Sequence, residues 1–247
     1  METIDIEIER LRERLQGQEL KTVIIPHISA DGDAVGACSA FSEALLKAGF
    51  DCHILTCDYF PEYLVWLKNI KRAISYQNKP EECARHIGDA DLIFMLDHNT
   101  TKREGDLEGL VKAAKAEKVI IDHHPGPEAV DYVISDVRVS STCELLYKVI
   151  TEIWGVDVID TDALYTGINT DTGGLSHNSS RPQTYRVIAD LLERGLDKES
   201  VHHYLYQMNK LSRLRLIGNA LLNKLTVHPD YPVALIPITL EELNTYN

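Results

Sequence analysis

Imidazoles and carboxylates fall at the ends of apolar runs in this chain. "TVIIP" leads into His27, Asp31 and Asp33 of "HISADGDAVG", "LIFML" into Asp97, and "KVII" into Asp122, His123 and His124, while "TGINTD" closes on Asp171 before two glycines. Each residue taken alone has an ordinary reading. Asp31 or Asp33 could cap a helix, Asp97 and Asp122 could form turns after strands, and a single His27 could be solvated. Recurrence after three separate runs points instead to one shared site. Several carboxylates in a cleft raise one another's pKa unless a cation compensates. Oxygen ligands mixed with imidazole suit Mn²⁺, with Co²⁺, Fe²⁺, Mg²⁺ or Zn²⁺ as alternatives. His27, Asp31, Asp33, Asp97, His123 and Asp171 would supply enough ligands for two divalent cations sharing a bridging carboxylate. Paired cations of this kind activate water and stabilise charge in phosphoester hydrolysis.

The elements that must position these residues alternate. "TVIIP" (22–26), "CHILTC" (52–57), "ADLIFMLD" (90–97) and "EKVIID" (117–122) are short β-branched or continuous apolar runs, as expected of strands buried on both faces. Between them, residues 34–48, "EECARHIGD" and "REGDLEGLVKAAK" carry helical periodicity. The alternation predicts crossover units in an α/β fold, a doubly wound parallel sheet with helices on both faces. In such sheets ligands bind outside the carboxyl ends of the strands, which is where the acids and imidazoles stand. The second half reads as mostly helical: "STCELLYKVITEIW", "DALYTGINTD", "RPQTYRVIADLLERG" and "VHHYLYQMNKLSRLRLIGNALLNKL". "LTVHPDYPVALIPIT" then returns to strand character. In "SSTCELL", Ser141 and Glu144 fit a capping box. Cys38 reads as core, and His202 and His203 as surface or packing residues.

The four spaced motifs together resemble the DHH phosphoesterases, a family named for the stretch seen here as Asp122-His123-His124. "HISADGDAVG", "LDHNTTKR", "IDHH" and "YTGINTDTGGL" match its successive motifs. The resemblance implies that His27 and Asp31 serve one metal, that Asp33, His123 and Asp171 serve the other, and that Asp97 bridges them. It also implies that His124 faces the substrate phosphate, that Asp122 orients its neighbours, and that Arg103 contacts substrate. Asp97, Asp122 and His124 would then be the catalytic group.

Within the family the chain is most similar to the nanoRNase type, which degrades short oligoribonucleotides and dephosphorylates 3′-phosphoadenosine 5′-phosphate. Gly32 stands where the pyrophosphatase branch has threonine. Ala30, Ala37 and Leu175 replace a usual proline, serine and phenylalanine, so substrate preference is less firmly implied than the metal site. The alternatives are inorganic pyrophosphatase, a phosphodiesterase for linear or cyclic dinucleotides, and a non-catalytic nucleotide- or metal-binding module. The type also carries a C-terminal domain with a glycine-rich, histidine-containing motif that is not found here. Residues 1–195 are thus expected to form the catalytic domain, 196–225 connecting helices, and 226–247 the beginning of a truncated C-terminal substrate-binding domain.

Bulk composition limits the partners. Among 247 residues, 38 are acidic and 25 basic, for a formal charge of −13. Such a surface repels a long nucleic-acid duplex and leaves a short oligonucleotide or nucleotide as the expected substrate. Five scattered cysteines without a CxxC pair fit reduced thiols. The charged N-terminal stretch lacks the pattern of a signal peptide, and no apolar run approaches the ~18 residues of a membrane span. A cytoplasmic setting without membrane partners is expected, and a homodimer is compatible with the sequence.

Overall fold

The computed structural model describes residues 3–17 and 19–246. The chain divides into two compact units, Met1–Val201 and His202–Asn247.

In the first unit the elements run α1 (Thr3–Leu15), β1 (Lys21–Pro26), α2 (Gly32–Lys47), β2 (Asp51–Thr56), β3 (Ile74–Ser75), α3 (Pro80–Asp89), β4 (Leu92–Leu96), α4 (Glu108–Ala113), β5 (Glu117–Asp122), β6 (Tyr132–Ser135), α5 (Thr142–Trp154), α6 (Thr161–Asp171) and α7 (Pro182–Glu193). The boundary between the units falls within α8 (Lys198–His202). All strand pairs of the six-stranded sheet are parallel, in the order β3-β2-β1-β4-β5-β6. The order reverses between β1 and β4, which opens a crevice at the carboxyl ends of these strands.

Burial on both faces explains the continuous apolar runs. Val23 and Ile25 of β1, Ile93 and Met95 of β4 and Ile120 of β5 pack against Cys83 and Ile87 of α3 and Val111 of α4. On the opposite face α2 lies against β4, with the Phe41 and Phe94 rings edge-on at 4.8 Å and Trp154 of α5 at 5.8 Å from Phe41. Helix α6 packs against α2 and α5, and α1 against β6 and α5. Each aliphatic side chain fully removed from water contributes about 1.5–3 kcal/mol, so the two apolar layers fix the register that brings the strand ends together.

Several elements depart from the sequence expectation. Residues 101–107 form a 3₁₀ segment instead of the first turns of a long helix, because Gly105 adopts φ 61°, ψ −131° against Cys57. Strands β3 and β6 were not expected. β3 is two residues long, and β6 alternates buried and half-exposed positions at the sheet edge. No helix among the described residues is long and apolar enough to cross a membrane.

The second unit contains a π-helical turn (His203–Gln207), α9 (Leu211–Asn223), an antiparallel pair β7 (Thr226–Val227) and β8 (Ala234–Leu235), and α10 (Leu240–Thr245). The helical periodicity of residues 201–225 is divided between the end of α8, the π-helical turn and α9. A reciprocal capping box of Thr239 and Glu242 starts α10, and Lys224 pairs with Glu242. Leu211, Leu221, Leu222, Val227, Leu235 and Leu240 are exposed.

Candidate metal centre

Backbone constraints at three strand ends turn the acids and imidazoles inward. After β1, Ser29 takes φ 57° and Asp31 caps α2, its Oδ1 accepting the amides of Asp33 and Ala34 at 3.0 and 3.2 Å. The cap uses one oxygen, so the helix-capping and ligand readings of Asp31 are compatible. After β4, Asp97 itself occupies the left-handed region at φ 62°, a conformation that Asp tolerates better than branched residues. β5 delivers Asp122, His123 and His124 in sequence, and α6 ends at Asp171 with Gly173 and Gly174 at positive φ.

Three groups of side chains have ligand atoms within 4.8 Å of one another: His27, Asp31 and Asp97; Asp33, His123 and Asp171; and Asp97, His123 and His124. Asp97 lies between the first two groups, with Oδ2 at 3.6 Å from His27 Nε2 and Oδ1 at 3.6 Å from His123 Nε2. His123 Nε2 also lies 3.3 Å from Asp171 Oδ2 and 3.9 Å from Asp33 Oδ2. All six expected ligands thus converge, and His124 adjoins them.

Asp33 is fully buried. Its Oδ2 accepts the Thr142 amide at 2.6 Å and its Oδ1 the Cys143 amide at 2.9 Å, so the carboxylate sits on the N-terminus of α5. Thr142 Oγ1 donates to Asp97 Oδ1 at 2.8 Å. The role of α5 was not legible in the sequence, where its start showed only a cap. Ser141 does accept the Glu144 amide at 3.0 Å, but Glu144 Oε2 receives the Ser140 amide at 2.9 Å in place of the Ser141 amide, so the expected capping box is only half formed.

The electrostatics call for a cation. Burial, followed by the nearby Asp97, pushes the Asp33 carboxyl well above the usual carboxylate range. Burial and then Asp31 do the same to Asp97, and burial with Asp33 and Asp31 raises Asp171 to about 8. Burial lowers the pKa of His123, which favours the neutral imidazole that ligates metals. The donor set of carboxylates and imidazoles, carrying excess negative charge, fits divalent cations.

Asp122 is fully buried and serves His124, not the metal groups directly. Its Oδ1 lies 2.7 Å from His124 Nδ1 and its Oδ2 accepts the His124 amide at 3.0 Å. This hydrogen bond raises the pKa of His124. Arg103 is exposed on the 3₁₀ segment, where its carbonyl accepts the Ile28 amide at 2.7 Å. Its positive charge opposes protonation of His124, which puts the guanidinium within electrostatic reach of the site.

The sequence reading also missed His98, which follows Asp97 in the chain, and its partner Glu104, both fully buried. His98 Nδ1 lies 2.9 Å from the Leu96 carbonyl and so carries the proton, and Nε2 lies 3.2 Å from Glu104 Oε1. Burial raises the Glu104 pKa, and its Oε2 has no hydrogen-bond partner. Because the folded-state pKa is raised, this group favours folding most in its protonated form, and its contribution weakens as pH rises through that pKa. Glu104→Gln preserves a donor to Nε2 without the buried charge. It is expected to change stability by less than about 1 kcal/mol at neutral pH and to remove this part of the gain on acidification, as measured by urea denaturation across pH.

Comparison with known proteins gives concordant matches. Residues 21–168 match the model for the DHH family, N-terminal domain. A crystal structure of an exopolyphosphatase-related protein from Bacteroides fragilis superposes with a TM-score of 0.92 at 33% identity, covering 98% of this chain and 72% of that one. The bifunctional oligoribonuclease and PAP phosphatase of Thermus thermophilus is 27% identical over 222 residues, 84% of this chain and 62% of the relative. An uncharacterized protein of Mycoplasma pneumoniae is 30% identical over 189 residues, 73% of this chain and 53% of the relative. The chain therefore spans between 53% and 62% of the length of these two curated relatives.

Proposed function

The chain belongs to the DHH family, and from that membership we propose that it is a metal-dependent phosphoesterase acting on short oligoribonucleotides and 3′-phosphoadenosine 5′-phosphate. The convergence of His27, Asp31, Asp33, Asp97, His123 and Asp171 on one crevice carries this reading. Similarity to the Thermus thermophilus oligoribonuclease and PAP phosphatase supports the substrate class. His27 and Asp31 would hold one divalent cation, Asp33, His123 and Asp171 a second, and Asp97 both, with Mn²⁺ the best match to the mixed donors. Such cations would supply Lewis-acid charge to the phosphoryl oxygens and to an attacking water.

The chain's own residues perform the remaining steps. The amides of Thr142 and Cys143 hold Asp33 in place, and the Thr142 hydroxyl fixes Asp97, so the ligands need little reorganisation as charge develops. Asp122 anchors Nδ1 of His124 and leaves Nε2 to meet a phosphoryl oxygen or protonate the leaving oxygen. Arg103 would attract a further phosphate of the substrate. Five free cysteines support a reducing, cytoplasmic setting.

The test is hydrolysis of a two- to five-nucleotide RNA and of 3′-phosphoadenosine 5′-phosphate with Mn²⁺, compared with phosphate release from pyrophosphate. Mononucleotide and phosphate release are expected from the first two substrates. Faster turnover of pyrophosphate, or none of either nucleotide substrate, would reject the assignment. In the same assay Asp122→Asn is expected to lower kcat/KM by about 10–100-fold, the usual effect of losing an orienting partner, with metal loading unchanged by titration calorimetry.

A further inference from the structure

A second cavity, of about 620 Å³, lies at the outer edge of the sheet. It exists because β3 pairs with β2 only at Leu55 and Thr56, leaving the edge of β2 from Cys52 to Ile54 without a strand neighbour among the described residues. Lys71 and Arg72, both exposed, line it, and neither has an acidic partner among the described residues. In a chain of net charge −13 such a pair of uncompensated cations marks a local field of opposite sign.

The rest of the lining supplies neutral donors. Ser75 lines the cavity at 9% exposure, and its Oγ has no hydrogen-bond partner. A buried hydroxyl left in this way loses the free energy of an unmade hydrogen bond unless a ligand completes it. Asn78, Lys79 and Glu82 bring in the start of α3, a ten-residue helix whose first turn no side chain caps. Pro80 has no amide and those of Asn78 and Lys79 bond the Ser75 carbonyl, so the amides of Glu81 and Glu82 are the ones placed as in sites that favour phosphate. Of the two acids in that turn, Glu82 lies 2.9 Å from Lys79 Nζ, and Glu81 is exposed outside the lining of the cavity. Tyr59 adds an aromatic face, held by its hydroxyl donating to Asn78 Oδ1 at 2.6 Å.

We propose that this cavity binds a nucleoside monophosphate, with its phosphate on Ser75, the α3 amides, Lys71 and Arg72, and its base against Tyr59. The volume exceeds that of a bare phosphate and lies within the usual range for small-molecule sites, and base–aromatic stacking tolerates any nucleobase. The site is separate from the metal centre and does not depend on the function proposed for it. The two are nonetheless connected through the chain: Asp58, the neighbour of Tyr59, accepts the Ser29 amide at 2.9 Å in the loop that carries His27 and Asp31.

The test is isothermal titration of the full chain in EDTA with adenosine 5′-monophosphate, adenosine and inorganic phosphate. Saturable one-to-one binding of the monophosphate is expected, tighter than that of either fragment and equal within twofold in Asp97→Asn. The double variant Lys71→Glu, Arg72→Glu is expected to weaken it by at least about tenfold, and Ser75→Ala by about threefold, with unchanged circular dichroism. Absence of saturable binding, adenosine binding as tightly as the monophosphate, loss of binding in Asp97→Asn, or indifference to the double charge reversal would each overturn the proposal. Because no divalent cation is present, failure here is distinguishable from failure of the hydrolysis assay.

Discussion

Asp97→Asn is expected to lower kcat/KM for Mn²⁺-dependent hydrolysis of a dinucleotide by about 10³-fold or more, the scale on which loss of preorganised transition-state charge acts. Asparagine is the informative replacement. It tolerates the left-handed backbone at φ 62° that alanine would strain, and it can still accept from Thr142 Oγ1 at an oxygen 2.8 Å away. The change therefore removes charge and little else. Since Asp97 faces both His27 and His123, losing its charge should weaken both halves of the metal centre. In metal-free buffer the same substitution should leave the melting temperature unchanged or raise it, because a buried carboxylate among other acids is lost. Adding Mn²⁺ should raise the melting temperature of the wild type more than that of the variant. Retention of more than a tenth of wild-type activity would remove Asp97 from the centre of the mechanism.

Gly167→Ala is expected to destabilise the protein by about 3 kcal/mol. In an ordinary helix interior the same change would stabilise by about 1 kcal/mol through propensity. Here packing decides the sign. A Cβ at Gly167 would meet Cys143 Sγ and Asp33 Oδ1 and lie 2.8 Å from Cys143 Cβ, while one at Gly36 would lie 2.6 Å from the Ala163 carbonyl. The two glycines let α2 and α6 cross closely enough for Asp33 and Asp171, one from each helix, to reach His123. The alanine variant should therefore also lose metal affinity in the folded fraction. Cys143→Ala in the same chain should recover part of the stability, because it relieves the sulfur clash but not the one with Asp33. A stable Gly167→Ala protein with wild-type unfolding midpoint in guanidinium would show that the crossing has slack that the geometry denies.

The metal-facing residues were legible because a parallel strand buried on both faces writes itself as an apolar run, and the residue that ends the run emerges at the sheet's carboxyl edge. Asp97 and Asp122 could be found in that way from local sequence alone. His124 could be found as well, but its partner could not be separated from its neighbours: Asp122, His123 and His124 are adjacent in the chain, and only the turn after β5 shows that Asp122 holds His124 while His123 meets Asp33, Asp97 and Asp171. Strands β3 and β6 left no comparable trace. A two-residue strand is too short to show a period, and Tyr132–Ser135 is half-exposed at an edge where apolar continuity is not required.

By itself the sequence determined the alternation of buried strands and amphipathic helices, and with it the edge at which seven of the site's acids and imidazoles emerge: His27, Asp31, Asp33, Asp97, Asp122, His123 and His124. Tertiary structure alone decided how those residues are held. Asp33 is fixed by amides 109 and 110 residues away, the centre needs the glycine-lined crossing of α2 and α6, and the cavity at the sheet edge exists because β3 stops after two residues. The physical reason is range: burial and periodicity are local properties written into each segment, whereas a hydrogen bond to a distant helix end, a close helix crossing and an unpaired strand edge depend on partners that only the folded chain brings together.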